Sequence, residues 1–159
     1  MRDIPMPPDV ARLPRDRRGY PVPFMVVRAE DNDGEAALGV LDPERVIRSL
    51  RDRLCGICGR SLGYWIAFVG GGLCLTNRLY LCPLHEDCAR YAMRVCPFLA
   101  SPQAKYRPLK SDIQVQVNPL MADRRPAEMF LVITRRYEPV VVGDEPLAKI
   151  GPPVRVERF

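Results

Sequence analysis

One apolar stripe at helical spacing lies near the middle of the chain. Its members recur every three or four residues: Val46, Ile47, Leu50 and Leu54. Asp42 is a favoured N-cap immediately before the stripe, and Pro43 suits the first helical position. This pattern predicts a helix over residues 43–54.

A second helix is predicted to begin at His85 or Glu86 and to end before Pro97. Glu86 and Asp87 would lie in its first turn, where negative charge is favourable beside the positive end of the helix dipole. Proline cannot continue a helix, so Pro97 marks the end.

The remaining apolar runs are short and rich in β-branched or aromatic residues, or they alternate with period two, which is typical of strands. The predicted strands span residues 21–27, 64–69, 73–81, 113–117, 129–134, 140–142 and 154–156. The prolines of 21–27 favour a sheet edge. Gly70, Gly71 and Gly72 predict a β-hairpin turn between 64–69 and 73–81. The predicted fold class is therefore α+β with a small, mainly antiparallel sheet.

Residues 1–20 are predicted to form a flexible, basic, proline-rich arm, because their prolines break helices and their arginines give the segment positive charge. Residues 21–159 are predicted to form a single α+β domain, a length that one hydrophobic core can organise. Seventeen prolines in 159 residues favour extended connections over long helices.

The chain is basic, with a net charge of +5 and 21 arginines against three lysines. Arginine reads phosphate well through paired hydrogen bonds, although codon usage in a GC-rich genome gives the same bias. The longest apolar and glycine run, residues 62–75, has 14 residues, whereas a membrane span needs about 20. The first ten residues lack the apolar segment of a secretory signal. We expect a cytoplasmic protein whose six cysteines stay reduced.

A metal site is predicted from two ligand pairs. Cys55-Gly-Ile-Cys58-Gly is a C-x-x-C turn, and His85-Glu-Asp-Cys88 is an H-x-x-C pair at a helix start. The pairs flank 26 residues that include the predicted hairpin. A C-x-x-C turn, a hairpin and a helix that supplies the last ligands follow the order of a treble-clef zinc finger, here over about residues 54–98. Three cysteines and one histidine form a closed shell for structural Zn²⁺.

The other cysteines leave alternatives open. Two residues also separate Cys82 from His85, so Cys82 could replace a ligand, although Cys88 is preferred because it lies on the helix. Cys74 and Cys96 are interpreted as core residues. A redox C-x-x-C motif needs a thioredoxin-like context, and here a helix precedes the motif instead.

Several motifs resemble those of an uncharacterised protein family found in phages and actinobacteria-like genomes. They are Gly19-Tyr-Pro-Val-Pro23, Cys55-Gly-Ile-Cys58-Gly, Leu62-Gly63, Ala67-Phe-Val69, Asn77-Arg78, His85-x-x-Cys88-Ala, Cys96-Pro-Phe-Leu99 and Ile133-Thr-Arg-Arg-Tyr137. The resemblance covers most of the chain from about residue 19 and implies the same four ligands. It departs from that family at residues 70–72, where the family has a Met-containing turn.

The ligand pattern also resembles the scaffold of HNH-type endonucleases, which are built on a treble clef. Those nucleases need a histidine as general base, and the single histidine of this chain, His85, is assigned to the metal. We expect no enzymatic activity, with a degenerate HNH-type nuclease as the minor alternative.

A nucleic-acid-binding surface is predicted from arginines of the arm and of the two helices. These residues are Arg12, Arg15, Arg17, Arg18, Arg45, Arg48, Arg51, Arg90 and Arg94. Together they can follow a phosphate backbone. Four aromatic residues are candidates for stacking on bases: Tyr20, Tyr64, Trp65 and Tyr106. Alternatively, Arg48 pairs with Glu44 and Asp52 at i,i+4 spacing, and the helix face is simply solvated.

The competing hypothesis is a zinc-stabilised protein-interaction module, such as a phage-encoded regulator or inhibitor of a host protein. The proline-rich arm suits extended docking on such a partner. No membrane partner is expected, and the pattern specifies neither an oligomeric state nor a target.

Overall fold

The computed structural model describes residues 4–28, 33–38, 40–100 and 126–159. The predicted strand 113–117 and Tyr106 lie outside the described residues. The described part is an α+β fold with two small antiparallel sheets, which confirms the predicted fold class.

The elements of the described residues are short. The helices are α1 (Pro8–Ala11), α2 (Pro43–Asp52), α3 (Gly72–Asn77), α4 (Glu86–Val95) and α5 (Pro97–Ala100). The strands are β1 (Ile66–Gly70), β2 (Leu79–Tyr80), β3 (Phe130–Thr134), β4 (Tyr137–Val142), β5 (Glu145–Ile150) and β6 (Arg155–Arg158).

The two longest helices confirm the helical predictions. Asp42 caps α2, because its carboxylate accepts hydrogen bonds from the backbone N–H groups of Glu44 and Arg45. Val46 is buried on the inner face of this helix, whereas Ile47 of the predicted stripe is 47% exposed. The apolar stripe is therefore narrower than the sequence pattern predicts.

The strands form two three-stranded sheets in the orders β1-β3-β6 and β2-β5-β4. In the first sheet, β1 runs antiparallel to β3, with Ile66 opposite Thr134 and Gly70 opposite Phe130. Strand β5 was not predicted, although it lies at the centre of the second sheet. Each sheet thus joins strands from distant parts of the chain.

The predicted hairpin between 64–69 and 73–81 is wrong. Most of the second segment forms α3, and the rest, β2, pairs with β5 instead of β1. Gly70 is not part of a turn; a Cβ atom there would lie 2.6 Å from the Cβ of Cys74. This glycine therefore permits close packing of α3 against the end of β1.

The predicted edge strand over 21–27 is also wrong, because this segment forms only isolated bridges. Its backbone pairs with the C-x-x-C turn instead. The N–H of Phe24 donates to the carbonyl of Ile57, and that of Met25 donates to the carbonyl of Gly56, each at 2.8 Å.

Residues 4–20, which belong to the predicted flexible arm, pack against the rest of the protein. Val10 in α1 is 1% exposed and belongs to the main core. Asp16 is buried and accepts hydrogen bonds from the backbone N–H groups of Arg18, Tyr20 and Ala36. The prolines prevent a long helix, but a buried carboxylate can still organise an irregular path.

A single large core connects α2, α4 and both sheets. The aromatic rings of Phe68 and Tyr80 lie 5.2 Å apart between the two sheets. Cys55, Cys58 and Cys88 belong to the same buried cluster. The predicted metal ligands therefore border the core.

Candidate metal centre

The C-x-x-C motif folds into a tight turn between two paired residues, Leu54 and Ser61. The N–H of Gly59 donates to the carbonyl of Cys55 at 2.8 Å, which closes the turn around the two cysteines. Gly59 has a φ of 74°, and a Cβ atom there would lie 2.9 Å from the Phe24 ring. Glycine is required at this position both for the left-handed backbone and for the close approach of Phe24.

The second ligand pair is positioned by an isolated bridge and a helix start. Ala67 of β1 exchanges two backbone hydrogen bonds of 2.9 Å with Leu84, the residue before His85. His85 is the N-cap of α4, and Cys88 is buried in the first turn of that helix. Residues three apart at a helix start face the same side, so both side chains point to the C-x-x-C turn.

The ligand atoms of Cys55, Cys58, His85 and Cys88 all lie within 4.8 Å of one another. The Nδ1 atom of His85 is 3.3 Å from the Sγ of Cys58 and 4.0 Å from the Sγ of Cys88. A tetrahedral ion with bonds of about 2.3 Å to sulfur and about 2.0 Å to nitrogen separates such ligands by about 3.5 Å. The cluster therefore has the dimensions of a tetrahedral metal site.

The imidazole of His85 is held in the orientation that a metal ligand needs. Its Nε2 lies 2.9 Å from the carbonyl oxygen of Ser61, at the end of the C-x-x-C turn. If Nε2 carries the proton and donates it to this carbonyl, Nδ1 keeps a free lone pair that faces the sulfur atoms. Such a second hydrogen bond commonly fixes the tautomer of a metal-binding histidine.

The cysteine thiols of the cluster shift one another's pKa values. Hydrogen bonds from the Cys58 and Cys88 thiols lower the pKa of Cys55 to about 3, despite its burial. The pKa of Cys88 is raised by its hydrogen bonds to Cys55 and Cys58, together with burial. The backbone N–H of His85 also points at the Cys55 sulfur, at 3.4 Å. The contacts thus favour the thiolate of Cys55 and disfavour that of Cys88, and a bound cation would have to favour both, because cysteine binds metal as thiolate.

Cys82 does not belong to the cluster, although the spacing left that alternative open. It is buried beneath Gly56, where a Cβ atom would lie 2.7 Å from the Cys82 Cβ. Burial raises the pKa of the Cys82 thiol to about 12, because desolvation outweighs its hydrogen bond with Ser49. Cys74 is buried as well, and Cys96 is half-buried at the end of α4. These three cysteines lie outside the four-residue group.

Most of the arginines predicted to bind nucleic acid are engaged in ion pairs. Seven of the nine have carboxylate partners: Arg12 with Asp9, Arg17 with Glu35, Arg18 with Asp16, Arg45 with Asp42, Arg48 and Arg51 with Asp52, and Arg90 with Glu86 and Glu157. Arg15 donates to the carbonyl of Gly19. Arg94 is exposed. The nine side chains thus present much less net positive charge than their number indicates.

The sequence reasoning missed two features that the structure brings together. One is the buried carboxylate of Asp16. The aspartate three residues before Gly19 is a pattern typical of an Asx-turn and could have indicated it. The other is the contact of Arg135 with both Tyr64 and Trp65. The two rings were named as stacking candidates, but no local pattern joins them to an arginine 70 residues away.

Comparisons of the chain with protein-family models, with curated proteins and with solved structures find no match. Within the described ranges, no helix has the length and apolar character needed to cross a membrane. The interpretation of the site therefore depends on its own chemistry. Three cysteines and one histidine at these distances can bind a metal ion.

Proposed function

We propose that Cys55, Cys58, His85 and Cys88 bind one Zn²⁺ ion in a structural site. The observation that carries the proposal is the convergence of the four ligand atoms within 4.8 Å. Three thiolates and one imidazole are a known structural zinc shell, and soft sulfur ligands in tetrahedral geometry select Zn²⁺ over Mg²⁺ or Ca²⁺.

The ion would join two parts of the chain that otherwise meet through few regular hydrogen bonds. The first ligand pair comes from the turn between Leu54 and Ser61, and the second comes from α4. The single bridge between Ala67 and Leu84 takes the place of a hairpin. We describe this arrangement as treble-clef-like, with α3 and β2 inserted between the two ligand pairs.

The role proposed for the ion is structural and not catalytic. Four protein ligands leave no open coordination position for water or substrate. His85 is the single histidine of the chain, so its use as a ligand leaves no histidine to act as general base. An HNH-type nuclease activity is therefore not part of the proposal.

The zinc-stabilised domain would act as a binding module, and nucleic acid is its proposed partner. Support comes from the net charge of +5 and from exposed arginines that have no carboxylate partner among the described residues, such as Arg135 and Arg136. A protein-interaction module, including a phage-encoded regulator, is the competing proposal. A cytoplasmic location and membership of the phage and actinobacterial family are parts of the same hypothesis.

The test of the metal site is elemental analysis of protein purified under reducing conditions. We expect about one zinc per chain in the wild type and a large loss in Cys58→Ser. Cys82→Ser is the matched control, because that cysteine is buried nearby but lies outside the cluster; it should keep the zinc.

Substitution with Co²⁺ gives a second measurement. A tetrahedral cobalt centre with thiolate ligands should show strong visible absorption and sulfur-to-metal charge-transfer bands. Wild-type protein without bound metal, whose Cys55 and Cys58 are readily alkylated in the folded state, would contradict the proposal. Loss of zinc from Cys82→Ser with retention in Cys88→Ser would show that the ligand assignment is wrong.

A further inference from the structure

Two exposed aromatic residues and an arginine meet at one end of the first sheet. Tyr64 and Trp65 precede β1, and Arg135 follows β3. Because Ile66 is paired with Thr134 in antiparallel register, Trp65 and Arg135 are the next positions outward. The guanidinium carbon of Arg135 lies 5.5 Å from the ring centroid of Tyr64 and 5.3 Å from that of Trp65. The sheet register therefore brings a cation against both rings.

The two rings remain largely open to solvent. They lie edge to face, with centroids 5.0 Å apart and an angle of 86° between their planes. Tyr64 is 65% exposed and Trp65 is 44% exposed, even with Arg135 in place. Exposed aromatic rings provide large, rigid surfaces on which a flat ligand can stack.

One further arginine adjoins this site in the chain, because Arg136 is exposed and directly follows Arg135. Arg53, the C-cap of α2, is not part of the site. Its carbonyl accepts a hydrogen bond of 2.9 Å from the N–H of Leu62, but its guanidinium carbon lies 5.4 Å from the ring centroid of Tyr137. In the part of the chain that the structure describes, Arg135 and Arg136 form no ion pair with a carboxylate.

The acidic residue nearest in sequence to these two arginines is Glu138, which stands opposite Lys149 in the pairing of β4 with β5. The site formed by Tyr64, Trp65, Arg135 and Arg136, here termed the stacking surface, therefore carries net positive charge. This contrasts with the arginines of α2, where Arg48 and Arg51 both pair with Asp52.

We propose that the stacking surface binds single-stranded nucleic acid, with bases stacked on Tyr64 and Trp65 and phosphates held by Arg135 and Arg136. The inference rests on the proposed nucleic-acid contact and assigns it to a surface. Aromatic rings beside unpaired cations are the usual means of binding an unpaired strand. A duplex is a poorer match, because its base faces are already stacked on one another.

The experiment uses the full-length, metal-loaded protein and a 15-nucleotide oligothymidylate in low salt. Trp65 is the only tryptophan of the chain, so its fluorescence reports directly on the stacking surface. We expect oligothymidylate to quench this fluorescence, and a duplex of equal length to quench it much less.

Variants then locate the contact by anisotropy of a labelled oligonucleotide. Trp65→Ala should weaken binding about 5- to 150-fold, the range for loss of one stacked base, and Trp65→Phe should restore most of it. Arg135→Ala and Arg136→Ala should each reduce the slope of log K against log salt by about 0.7. The matched control is Arg48→Ala combined with Arg51→Ala, which removes two cations paired with Asp52 and should leave affinity unchanged. Zinc content and the melting temperature verify that each variant is folded.

The outcomes separate this inference from the proposed function. Binding that is lost in the Trp65 and Arg135 variants but kept in the α2 control supports the stacking surface. Binding that survives in the former and is lost in the control overturns the surface and leaves the nucleic-acid function in place. Wild-type protein that binds no oligonucleotide in low salt overturns both. A polyglutamate peptide that quenches Trp65 as strongly as oligothymidylate would assign the surface to an acidic protein and overturn the inference.

Discussion

Two irregular regions of the protein are each organised around buried acidic groups, a carboxylate in one and thiols in the other, and they differ in the cation that would balance them. In the N-terminal region, the Asp16 carboxylate accepts three backbone N–H groups and pairs with the Arg18 guanidinium at 2.8 Å. At the metal centre, three cysteine sulfurs and the His85 imidazole converge, and the proposed counter-charge is a zinc ion.

In both regions, much of the backbone lies outside long helices and β-ladders, so its N–H and C=O groups need other hydrogen-bond partners. Each region therefore depends on one group of side chains that binds several partners at once. The carboxylate centre takes its cation from the same chain and is complete once the chain folds. The proposed metal centre would need an ion from outside the chain. The stability of the first region should therefore depend on pH and on Asp16, and the stability of the second should fall when a chelator removes the ion.

The largest expected effect is the loss of a metal ligand. Cys88→Ala should unfold the region over residues 54–98, because structural zinc supplies roughly 10–16 kcal/mol in finger peptides, compared with a typical net stability of about 5–15 kcal/mol. Cys74→Ala is the matched control and should cost about 1 kcal/mol, since it removes one buried sulfur from the core.

Thermal melts and limited proteolysis measure this difference, with EDTA-treated wild type as a reference for metal loss. The treated protein should resemble Cys88→Ala, while the backbone N–H groups of Arg18, Tyr20 and Ala36 that donate to Asp16 stay protected. If Cys88→Ala melts like the wild type, or if EDTA exposes both regions equally, the two centres do not stabilise separate regions.

The second prediction concerns the carboxylate centre. Asp16→Asn keeps the shape of the side chain but replaces an acceptor oxygen with an N–H₂ group that faces other donors. We expect a loss of about 3 kcal/mol, the lower end of the range for breaking a buried ion pair, because Arg18 keeps partial access to water. Chemical denaturation measures the loss. Zinc content should be unchanged, and a parallel loss of zinc would show that the two centres are coupled.

Acid should weaken the carboxylate centre through protonation of Asp16. Burial alone would raise the pKa of Asp16, but hydrogen bonds from Ala36, Arg18 and Tyr20 together lower it below its usual value. A depressed folded-state pKa means that the stabilisation is complete above the unfolded value, near 3.9, and is lost as pH falls through the folded value.

Comparison of the wild type with Asp16→Asn removes the contribution of metal release, which acid causes in both proteins. The stability difference between them should be constant from about pH 7 down to about pH 5 and should shrink below about pH 4. A difference that already vanishes near pH 6 would mean that another group controls this region.

The parts of the structure that could be predicted from the sequence are those determined by local chemistry. Helix α2 follows from Asp42, Pro43 and an apolar stripe, and the grouping of the four candidate ligands follows from C-x-x-C and H-x-x-C spacing. The hairpin predicted over residues 64–81 was wrong because β1 pairs with β3, whose residues lie 60 to 68 positions further along the chain. A strand-like pattern does not identify its partner, and tertiary contacts overrode local propensity in α3.

The centres that depend on long-range contacts could not be predicted. One of the hydrogen bonds that Asp16 accepts comes from the N–H of Ala36, 20 residues along the chain. The contact of Arg135 with Trp65 depends on the register of two strands that are distant in sequence. The prediction for residues 1–20 depended on prolines and arginines alone. Those residues show where a helix cannot form, but they do not show which backbone N–H groups will donate hydrogen bonds to a buried carboxylate.

The smallest expected effect concerns a third buried polar group, one that has neither a cation nor a donor. Among the described residues, the hydroxyl of Tyr80 is a buried side-chain oxygen without a hydrogen-bond partner. Burial raises the pKa of Tyr80 far above its usual value. An unpaired buried hydroxyl loses its contacts with water and gains nothing in return, so its removal should not be costly. Tyr80→Phe keeps the ring packed on Phe68 and should leave the protein equally stable or up to about 1 kcal/mol more stable.

The matched control is Tyr137→Phe, which removes a hydroxyl that donates to the Leu50 carbonyl at 2.7 Å. That variant should lose about 1 kcal/mol, the usual net contribution of a hydrogen bond. Denaturant melts of the two variants therefore test whether buried polar atoms stabilise this protein only when they are paired, as they are at Asp16. If Tyr80→Phe loses as much as Tyr137→Phe, the Tyr80 hydroxyl has a partner in solution, and the contrast between satisfied and unsatisfied buried groups does not hold.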